Sequence, residues 1–403
     1  MNYDIFFSIC QTPVLQENGK PYTPSEKVMF QNFFDQVLLA DELGFGCAWV
    51  AETHLSCQVQ KKNPGAVIPH FEGEIGLNTD ILQLAHVIFA RTKKIHVGSA
   101  IRNILCNGGP IAHAEAIKMF MSIHDLGING EADRKLEIGF ASGRFPFSNM
   151  PYGVLPRNEV ERAAWPALRG LVFQEATEIF LRLLKGEVLG SKDIRQKVLT
   201  RELFRSDEDW AKVLSAKAVP SAETLEIPPF WNFDPVGVIP FDAPMRNLSL
   251  TIGAHDAPTQ DFANTILPVG VFNLSITPNA QIEATHKRMN ETYNKTPWGA
   301  SSGVWSRSLM PRTVLVFIDE DSRKAHRNAE MAIENYWKAV EGTLDPKKVS
   351  EAVGNAVVGN PGEVALQMKE RFHPEDRLML WFDFNNHDNE AVKKSMRLFM
   401  ERV

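Results

Sequence analysis

Eight short apolar segments that alternate with helical patterns along the chain are the feature that most constrains its fold. Most are continuous apolar runs, which is typical of parallel strands covered on both faces. The predicted strands are Ile5–Cys10, Cys47–Glu52, Ile95–Ile101, Lys135–Ala141, Leu248–Ala254, Leu267–Asn273, Thr313–Ile318 and Leu378–Phe384. No GxGxxG motif follows the first strand and no Walker A motif occurs. The pattern therefore predicts an α/β protein of the (β/α)8 or TIM-barrel type rather than an open sheet.

The connection between the fourth and fifth predicted strands is longer than a barrel needs. A helical run over Trp165–Lys185 is followed by residues 191–244, which are charged at first, later rich in Pro and Trp, and without clear periodicity. We predict a single domain over residues 1–403 with an irregular insertion at about 191–244. Its aromatic residues either form a lid over the barrel mouth or pack the insertion onto the barrel, and packing is favoured. These residues are Phe230, Trp231, Phe233 and Phe241.

Composition narrows the partners and the compartment. The 403 residues are 44% hydrophobic and 23% charged, with a net charge of −6, which gives no electrostatic reason to expect nucleic acid or an anionic membrane as partner. The four cysteines include no CxxC pair, so reduced thiols are expected. No apolar run is long enough to predict a membrane-spanning helix, and a cytoplasmic protein is expected.

Polar residues follow the predicted strands where a barrel builds its active site, at the carboxyl ends of the strands. Glu52, Thr53 and His54 come directly after the second strand. An imidazole there could act as general acid or base at neutral pH, and a carboxylate two residues away could orient it. The other strand-end polar residues are Arg102, Asn103, Ser142, Arg144, His255, Asp256, Asp383, Asn385 and Asn386.

Other kinds of active site have weaker support in the sequence. HExxH is absent, and the pairs His113/Glu115 and His124/Asp125 lie on a predicted helix, where solvated-face or capping roles are favoured, so no metal site is predicted. A serine hydrolase would need a GxSxG elbow, which is missing. A glycosidase could pair Glu52 with Asp256 or Asp383 and stays an alternative.

The end of the fourth strand gives the best cofactor signal. In Leu136–Arg144 (LEIGFASGR), small residues would let a flat ring or a phosphate approach the backbone, and Arg144 could hold an anion. A tight turn with a solvated arginine explains the segment equally well when it is taken alone.

Several separated segments together resemble the bacterial luciferase-like flavin monooxygenase family. The similar segments are LADELGFGCAWVAETHLS, PIAHAEAIKMFMSIHDL, RKLEIGFASGR, VVGNPGEVALQMKERF and RLMLWFDF. Each motif is short, and their order and spacing carry the resemblance, which spans nearly the whole chain except 191–244.

The resemblance implies a TIM barrel that binds FMN in its C-terminal mouth, or coenzyme F420 in a sister branch. Reduced FMN would come from a separate flavin reductase and react with O2 to oxygenate a small or medium organic substrate. The alternatives are an F420-dependent oxidoreductase that transfers hydride and a non-catalytic flavin-binding protein. By analogy with the family, a homodimer formed through helices flanking strands two and three is expected.

The resemblance also assigns residues. Asn103, Ala141, Ser142, Gly143 and Arg144 would border the flavin, and the strand-five end, with Ala254, His255 and Thr259, would lie near its phosphate.

The sequence departs from the family pattern at two places. Thr53 stands where the family places a histidine, and His54 comes one residue later, which reverses the direction of the side chain on a strand. Asp256 stands where the family offers a hydroxyl to the phosphate, so Thr259, Arg144, Arg157 or Arg162 would hold that group instead.

Overall fold

Eight parallel strands follow one another in the computed structural model, which describes residues 1–11, 13–15, 20–61, 72–128, 130, 132–218, 221–340 and 346–403. Each lies within or next to a predicted strand. They are β1 (Asn2–Phe7), β2 (Cys47–Val50), β3 (His96–Asn103), β4 (Leu136–Ala141), β5 (Leu248–Ile252), β6 (Gly270–Val271), β7 (Arg312–Ile318) and β8 (Arg377–Trp381). Consecutive strands pair from β1 to β6, β7 pairs with β8, and β8 pairs with β1.

The barrel closes between β6 and β7. Asn273 forms a parallel bridge with Arg312 just beyond β6. The Asn273 N–H donates to the Pro311 carbonyl at 2.9 Å, and the Thr313 N–H donates to the Asn273 carbonyl at 3.1 Å. Further along β7, the short strand Val357–Gly359 pairs with the same edge. The predicted α/β barrel is therefore confirmed.

Helices connect the strands and cover the outside of the barrel. They are α1 (Glu26–Leu43), α2 (Ile81–Arg91), α3 (Gly109–His124), α4 (Glu159–Leu184), α5 (Asp207–Lys217), α6 (Ala257–Asn264), α7 (Asn279–Thr292), α8 (Ser322–Val340), α9 (Pro346–Asn355), α10 (Pro361–Arg371) and α11 (Asn389–Arg402). Ser25 caps α1 through its side chain, and Gly44 ends that helix in the left-handed conformation, with φ at +83°.

The segment predicted as an irregular insertion contains regular structure in its described part. Lys197–Thr200 and Thr224–Ile227 form an antiparallel pair, and α5 lies between them. Strands of four residues are too short to show a period in the sequence. The buried Glu175 carboxylate on α4 holds the segment, because it pairs with Lys197 and accepts the Phe230 N–H at 2.9 Å.

The aromatic residues of this segment pack as favoured from the sequence. Phe230 lies 6.0 Å from Trp165 of α4 and under the Arg157 guanidinium, and Trp231 and Phe233 also contact the outer core. Phe241 is exposed but lies beside the buried Lys118, whose ammonium donates to the Phe241 carbonyl at 2.8 Å.

A buried ion cluster fills the amino-terminal end of the barrel. Arg377 of β8 donates through Nε to Asp4 of β1 at 2.6 Å and through Nη1 and Nη2 to Glu137 of β4 at 2.7 and 2.5 Å. The Trp49 indole also donates to Asp4, at 2.7 Å. The cluster borders a cavity of about 510 Å³ that opens at this end.

The environment of the cluster shifts the pKa values of its members. Burial raises the pKa of Asp4 to about 6, although Arg377 acts in the opposite direction. Burial also favours neutral Glu137, but Arg377 outweighs it and lowers the pKa of that carboxyl. Burial disfavours the Arg377 cation, yet Asp4 and Glu137 raise its pKa above the ordinary value. Arg377 therefore stays charged and balances the negative charges of Asp4 and Glu137, which would otherwise repel each other.

In the part of the chain that the structure describes, no helix combines the length and the apolar character needed to cross a membrane.

Replacing Arg377 tests the importance of this cluster. Arg377→Met should lower the free energy of unfolding by about 3–5 kcal/mol, because two buried carboxylates lose their partner. Arg246→Met is the matched control, since Arg246 pairs with Asp125 on the surface, and should change it by only about 0–1 kcal/mol. Urea unfolding of the two variants measures both values. Equally small decreases in the free energy of unfolding of the two variants would show that the cluster contributes little to stability.

Candidate functional site

The alternation of side chains at β2 separates the three predicted catalytic residues. Cys47 and Trp49 lie inside the barrel with Phe6 and Met379, whereas Ala48 and Val50 lie in the core between the barrel and its helices. Ala51 continues the inner row. Thr53 therefore follows the inner row towards the mouth, and Glu52 and His54 follow the outer one.

The Glu52 side chain is fully buried behind the mouth. Its Oε1 lies 3.1 Å from Nε2 of His54. Its Oε2 accepts from Nη1 of Arg102 at 3.3 Å and from the Ile81 N–H at 3.4 Å, which is the first amide of α2. A carboxylate at a helix N-terminus is favoured by the exposed amides and the helix dipole. Glu52 thus joins β2, β3 and α2.

Arg102 extends the same network to α3. Its Nη1 also donates to Asp80, the N-cap of α2, at 3.1 Å, and its Nε donates to Nδ1 of His113 at 2.8 Å. His113 Nε2 lies 3.0 Å from the Cys106 carbonyl. Because Nδ1 accepts from arginine, the proton of neutral His113 lies on Nε2. Burial first, and then Arg102, lowers the pKa of His113 well below its ordinary value.

The interpretation of His113 and His124 as solvated-face or capping residues is wrong. His113 and His124 are 1% and 2% exposed, and His124 Nε2 lies 2.7 Å from the Arg134 carbonyl. A histidine hydrogen-bonded to a carbonyl can be buried without an unpaired polar atom, which sequence periodicity does not show.

Thr53 reaches the mouth with an unpaired hydroxyl. Its N–H donates to the Asn78 carbonyl at 2.9 Å, but its buried Oγ1 has no hydrogen bond within the described residues. A Cβ atom at Gly76 would lie 3.0 Å from Thr53 Cγ2 and 3.4 Å from the Ser8 carbonyl. Thr53 is therefore next to the end of β1.

The end of β8 carries three further buried polar atoms without a hydrogen bond among the described residues: Nε1 of Trp381, Oδ1 of Asp383 and Oδ1 of Asn385. Trp381 packs on Phe6 of the barrel interior, with ring centroids 4.6 Å apart. The intervening Phe382 packs in the helix-facing core.

Asp383 has a strongly shifted pKa. Burial raises it to about 7, while the Trp381 indole and the Ser8 N–H favour its charged form. The indole N–H lies near the carboxyl group without meeting hydrogen-bond geometry. The ends of β8, β1 and β2 thus form one wall of the mouth with unsatisfied polar groups.

The predicted flavin-bordering residues form the facing wall. Asn103 Nδ2 donates to Asn149 Oδ1 at 2.7 Å, its Oδ1 accepts the Leu105 N–H at 3.0 Å, and Asn149 Nδ2 donates to the Ser142 carbonyl at 2.9 Å. Gly143 has φ at +72°, and a Cβ atom there would collide with the Asn103 amide. Ala141 ends β4 beside Asn103, its partner in the strand register. Asn103, Ala141, Ser142 and Gly143 are therefore in one place.

The residues predicted to lie near the phosphate differ in their exposure and in the hydrogen bonds that they already make. Asp256 caps α6 by accepting the Thr259 N–H at 2.9 Å, and Pro258 has no N–H, so few amides at this helix start are open to an anion. Thr259 is buried and its hydroxyl accepts from Gln174 at 3.1 Å, the carbonyl of buried Ala254 accepts from Gln260 at 2.7 Å, and His255 is exposed.

The three arginines predicted to hold the phosphate also differ in their partners and exposure. Arg157 is bound to Glu161 and to the Pro228 and Pro229 carbonyls, and Arg162 pairs with Glu159. Arg144 is exposed and lies over the Phe145 ring at 5.5 Å, with no carboxylate partner in the described chain.

Apolar side chains from several loops meet above the strand ends. Cys10, Cys57 and Phe147 follow β1, β2 and β4, and Tyr336 and Trp337 come from α8. Burial raises the pKa of Tyr336, and Arg144 acts against that shift. This apolar cover limits the access of water to the mouth.

Sequence reasoning missed the buried roles of Arg102 and Asp80 and gave Asp383 too little weight. The available signal was the spacing Trp381–Asp383, which places two polar groups on one side of an extended chain. The glycosidase alternative paired Glu52 with Asp256 or Asp383. Glu52 is bound in the buried network behind the mouth and Asp256 caps α6, so neither pair faces one substrate.

Among the solved structures that share this fold, three match over 100% of this chain and 98% of their own length. They are the monooxygenase RslO1 from Streptomyces bottropensis (18% identity, TM-score 0.63), the oxygenating constituent of 3,6-diketocamphane monooxygenase from Pseudomonas putida in complex with FMN (13%, 0.57), and an F420-dependent secondary alcohol dehydrogenase in complex with an F420–acetone adduct (13%, 0.52). No protein-family model and no curated protein matches the sequence. The similarity supports the resemblance to the luciferase-like flavin monooxygenases at the level of the fold.

The buried His113 should make stability depend on pH. Its pKa is depressed in the folded state, so its contribution is present above the unfolded value of 6.5 and is lost progressively as pH falls below it. His113→Gln keeps an acceptor for Arg102 and a donor for Cys106 but cannot titrate.

The loss of unfolding free energy between about pH 8 and about pH 5.5 should be smaller by about 1 kcal/mol in His113→Gln than in the unmodified protein. Urea unfolding at both pH values measures this difference. The variant His326→Gln, at an exposed site on α8, should keep the original pH dependence. An unchanged dependence in His113→Gln would contradict the assigned neutral state.

Proposed function

We propose that this protein is an FMN-dependent, two-component monooxygenase that uses reduced flavin and O2 to oxygenate a small or medium organic molecule. The observation that carries the proposal is a group of four buried polar atoms at the barrel mouth, on Thr53, Trp381, Asp383 and Asn385, that make no hydrogen bond of regular geometry among the described residues, although the Trp381 indole and the Asp383 carboxyl group face each other. Buried polar atoms without a partner are rare in native proteins, and a bound ligand is one way in which their hydrogen bonding is completed.

The residues present fit a flavin. A flat ring with nitrogen and oxygen atoms along its edge would supply a partner for a donor such as Thr53 Oγ1. On the facing wall, Gly143 makes room for the Asn103 amide, which a Cβ there would displace, so this glycine keeps Asn103 in place at the end of β3. The similar barrel from Pseudomonas putida is in complex with FMN. Bound reduced FMN would supply the reaction with O2 that delivers one oxygen atom to the substrate.

The residues of this chain would bind, orient and shield. Arg144 is the arginine best placed to hold the phosphate, because Arg157 and Arg162 already pair with Glu161 and Glu159. The apolar cover from Phe147, Tyr336 and Trp337 would keep water out. His54, predicted as general acid or base, can act only through Nδ1 while its Nε2 is bonded to Glu52, and Glu52 orients it.

Reduced FMN would be supplied by a separate flavin reductase; the similar barrel from Pseudomonas putida is the oxygenating constituent of its monooxygenase. The chain would also form a homodimer. Large apolar side chains are exposed on α2, on α3 and just after α3, next to β2 and β3: Val87, Met119, Leu126 and Ile128. A second copy of the chain would cover this patch.

The second candidate is an F420-dependent oxidoreductase that transfers hydride without oxygen. It is favoured by the similarity to the F420-dependent alcohol dehydrogenase. A protein that binds flavin without catalysis is the third. The identity of the bound cofactor separates the first two.

Anaerobic titration with reduced FMN and with reduced F420 tests the proposal. We expect reduced FMN to bind at one site per chain and reduced F420 to bind more weakly. Binding is followed by cofactor fluorescence or absorbance. Preference for F420 would favour the hydride-transfer alternative, and binding of neither would exclude both enzymes.

Gly143→Ala should weaken reduced FMN binding by roughly tenfold, equivalent to about 1.4 kcal/mol, because the new Cβ displaces Asn103. Gly153→Ala is the matched control. Gly153 also has positive φ, at +83°, but nothing lies within 4 Å of a Cβ there, so it should suffer similar backbone strain without loss of binding. Equal affinities for both variants would place the flavin elsewhere.

Sedimentation velocity tests the homodimer. Met119→Lys should shift the protein from dimer to monomer, since it introduces a charge into the exposed apolar patch. Leu366→Lys replaces a similarly exposed side chain on α10, outside the patch, and should leave the dimer intact. A monomeric unmodified protein would contradict the proposal.

A further inference from the structure

Asp383 is the buried acid at the mouth for which the described structure provides no counter-ion. It makes no ion pair with any described residue, and its Oδ1 has no hydrogen bond among them. By contrast, Asp4 at the other end of the barrel has Arg377 and Trp49 as partners. A buried carboxyl group without a cation is more stable when protonated.

Asp383 lies between the barrel mouth and a small cavity beside α1. Asp383 comes two residues after Trp381, whose side chain packs in the barrel interior, so the alternation of side chains directs Asp383 towards the mouth. It also borders a cavity of about 20 Å³ beside α1, lined by the polar residues Asn32, Gln36, Asn386 and His387 and by the apolar residues Ile9, Met29 and Phe33. That volume is sufficient for about one water molecule.

The surroundings of this carboxyl group contain few other titratable groups. Cys10 and His387 line the same cavity, and no lysine, arginine or second carboxylate does so among the described residues. The Ser8 N–H and the Trp381 indole are the groups that favour the charged form. They are outweighed by burial, which raises the pKa to about 7.

We propose that Asp383 is the proton-exchange residue of the mouth: a carboxyl group that donates a hydrogen bond to the bound cofactor and passes protons between it and the water-sized cavity beside α1. This inference rests on the proposed function. In the overall reaction, reduced FMN, O2 and substrate give oxidised FMN, oxygenated substrate and water. One oxygen atom enters the substrate, and the other leaves as water with the two hydrogens that reduced FMN carried. Asp383 gives a proton and regains one, so its own state is unchanged after each cycle.

The pH dependence of cofactor binding tests this role without any measurement of turnover. If only the neutral carboxyl group accepts the cofactor, the affinity for reduced FMN should fall roughly 30-fold between about pH 6 and about pH 8.5, given a pKa of about 7. The dissociation constant is measured anaerobically for the unmodified protein and for Asp383→Asn. The ratio of the two dissociation constants at each pH cancels the titration of the cofactor itself. The 30-fold fall in affinity should be absent in Asp383→Asn.

Asp4→Asn is the control. Asp4 is also a buried acid with a raised pKa, but it lies at the amino-terminal end of the barrel. This variant should keep the pH dependence of the unmodified protein.

Infrared titration provides a second measurement should Asp383→Asn fold poorly. Ordinary carboxyl groups are ionised throughout this pH range, so a neutral carboxyl band that disappears near pH 7 identifies a group of the Asp383 type. In the Asp4→Asn background, that band should persist to about pH 7 and shift on addition of reduced FMN.

Two results would overturn the inference: binding of reduced FMN with the same pH dependence in the unmodified protein and in Asp383→Asn, or a carboxyl band that does not respond to the cofactor. Absence of reduced FMN binding at every pH would overturn the proposed function itself, and the two failures are therefore distinguishable.

Discussion

The charge on Arg377 is the interaction on which the barrel depends. It lies inside the amino-terminal end and binds Asp4 and Glu137, so strands β8, β1 and β4 are fixed across the lumen by one guanidinium group. The pairing of each strand with its neighbours is local, whereas this cluster also links β4 to β8 and β1, which are not adjacent to it. The backbone register of β1 against β8, from Asn2 with Arg377 to Ile5 with Leu380, sets where both strands end and so places Trp381 and Asp383 at the opposite end.

A second constraint is the two-residue period of an extended chain. At the end of β2 it sends Thr53 into the mouth and sends Glu52 and His54 to the outer side. There Glu52 binds His54 and Arg102, and Arg102 in turn binds Asp80 and His113. At the end of β8 it sends Trp381 and Asp383 inward and Phe382 outward. A shift of one residue between related chains therefore exchanges a mouth residue for a structural one, and residue roles transfer poorly between them.

The sequence was sufficient to predict the order of strands and the closed barrel, because continuous apolar runs and helical periods are local signals. It also predicted that Asn103, Ser142 and Gly143 come together, since all lie at the ends of adjacent strands. The sequence did not predict the burial of His113, which depends on Arg102 and the Cys106 carbonyl. It also did not predict the antiparallel strand pair in 191–244, because these strands are too short to show a period. Asp383 was visible as a strand-end carboxylate, but the absence of a counter-ion is a three-dimensional property. Thr53, His54 and the phosphate contacts stay predictions until a cofactor is bound.

The unpaired polar atoms at the mouth also have a consequence for how this protein can change. Each such atom lowers the stability of the free barrel by about 1–3 kcal/mol relative to a satisfied one. Apolar groups of similar shape, such as valine in place of Thr53, would remove that deficit and give a more rigid barrel with nothing left to recognise a ligand. Selection for stability alone and selection for binding thus act in opposite directions at these few positions, whereas in the outer core they act together.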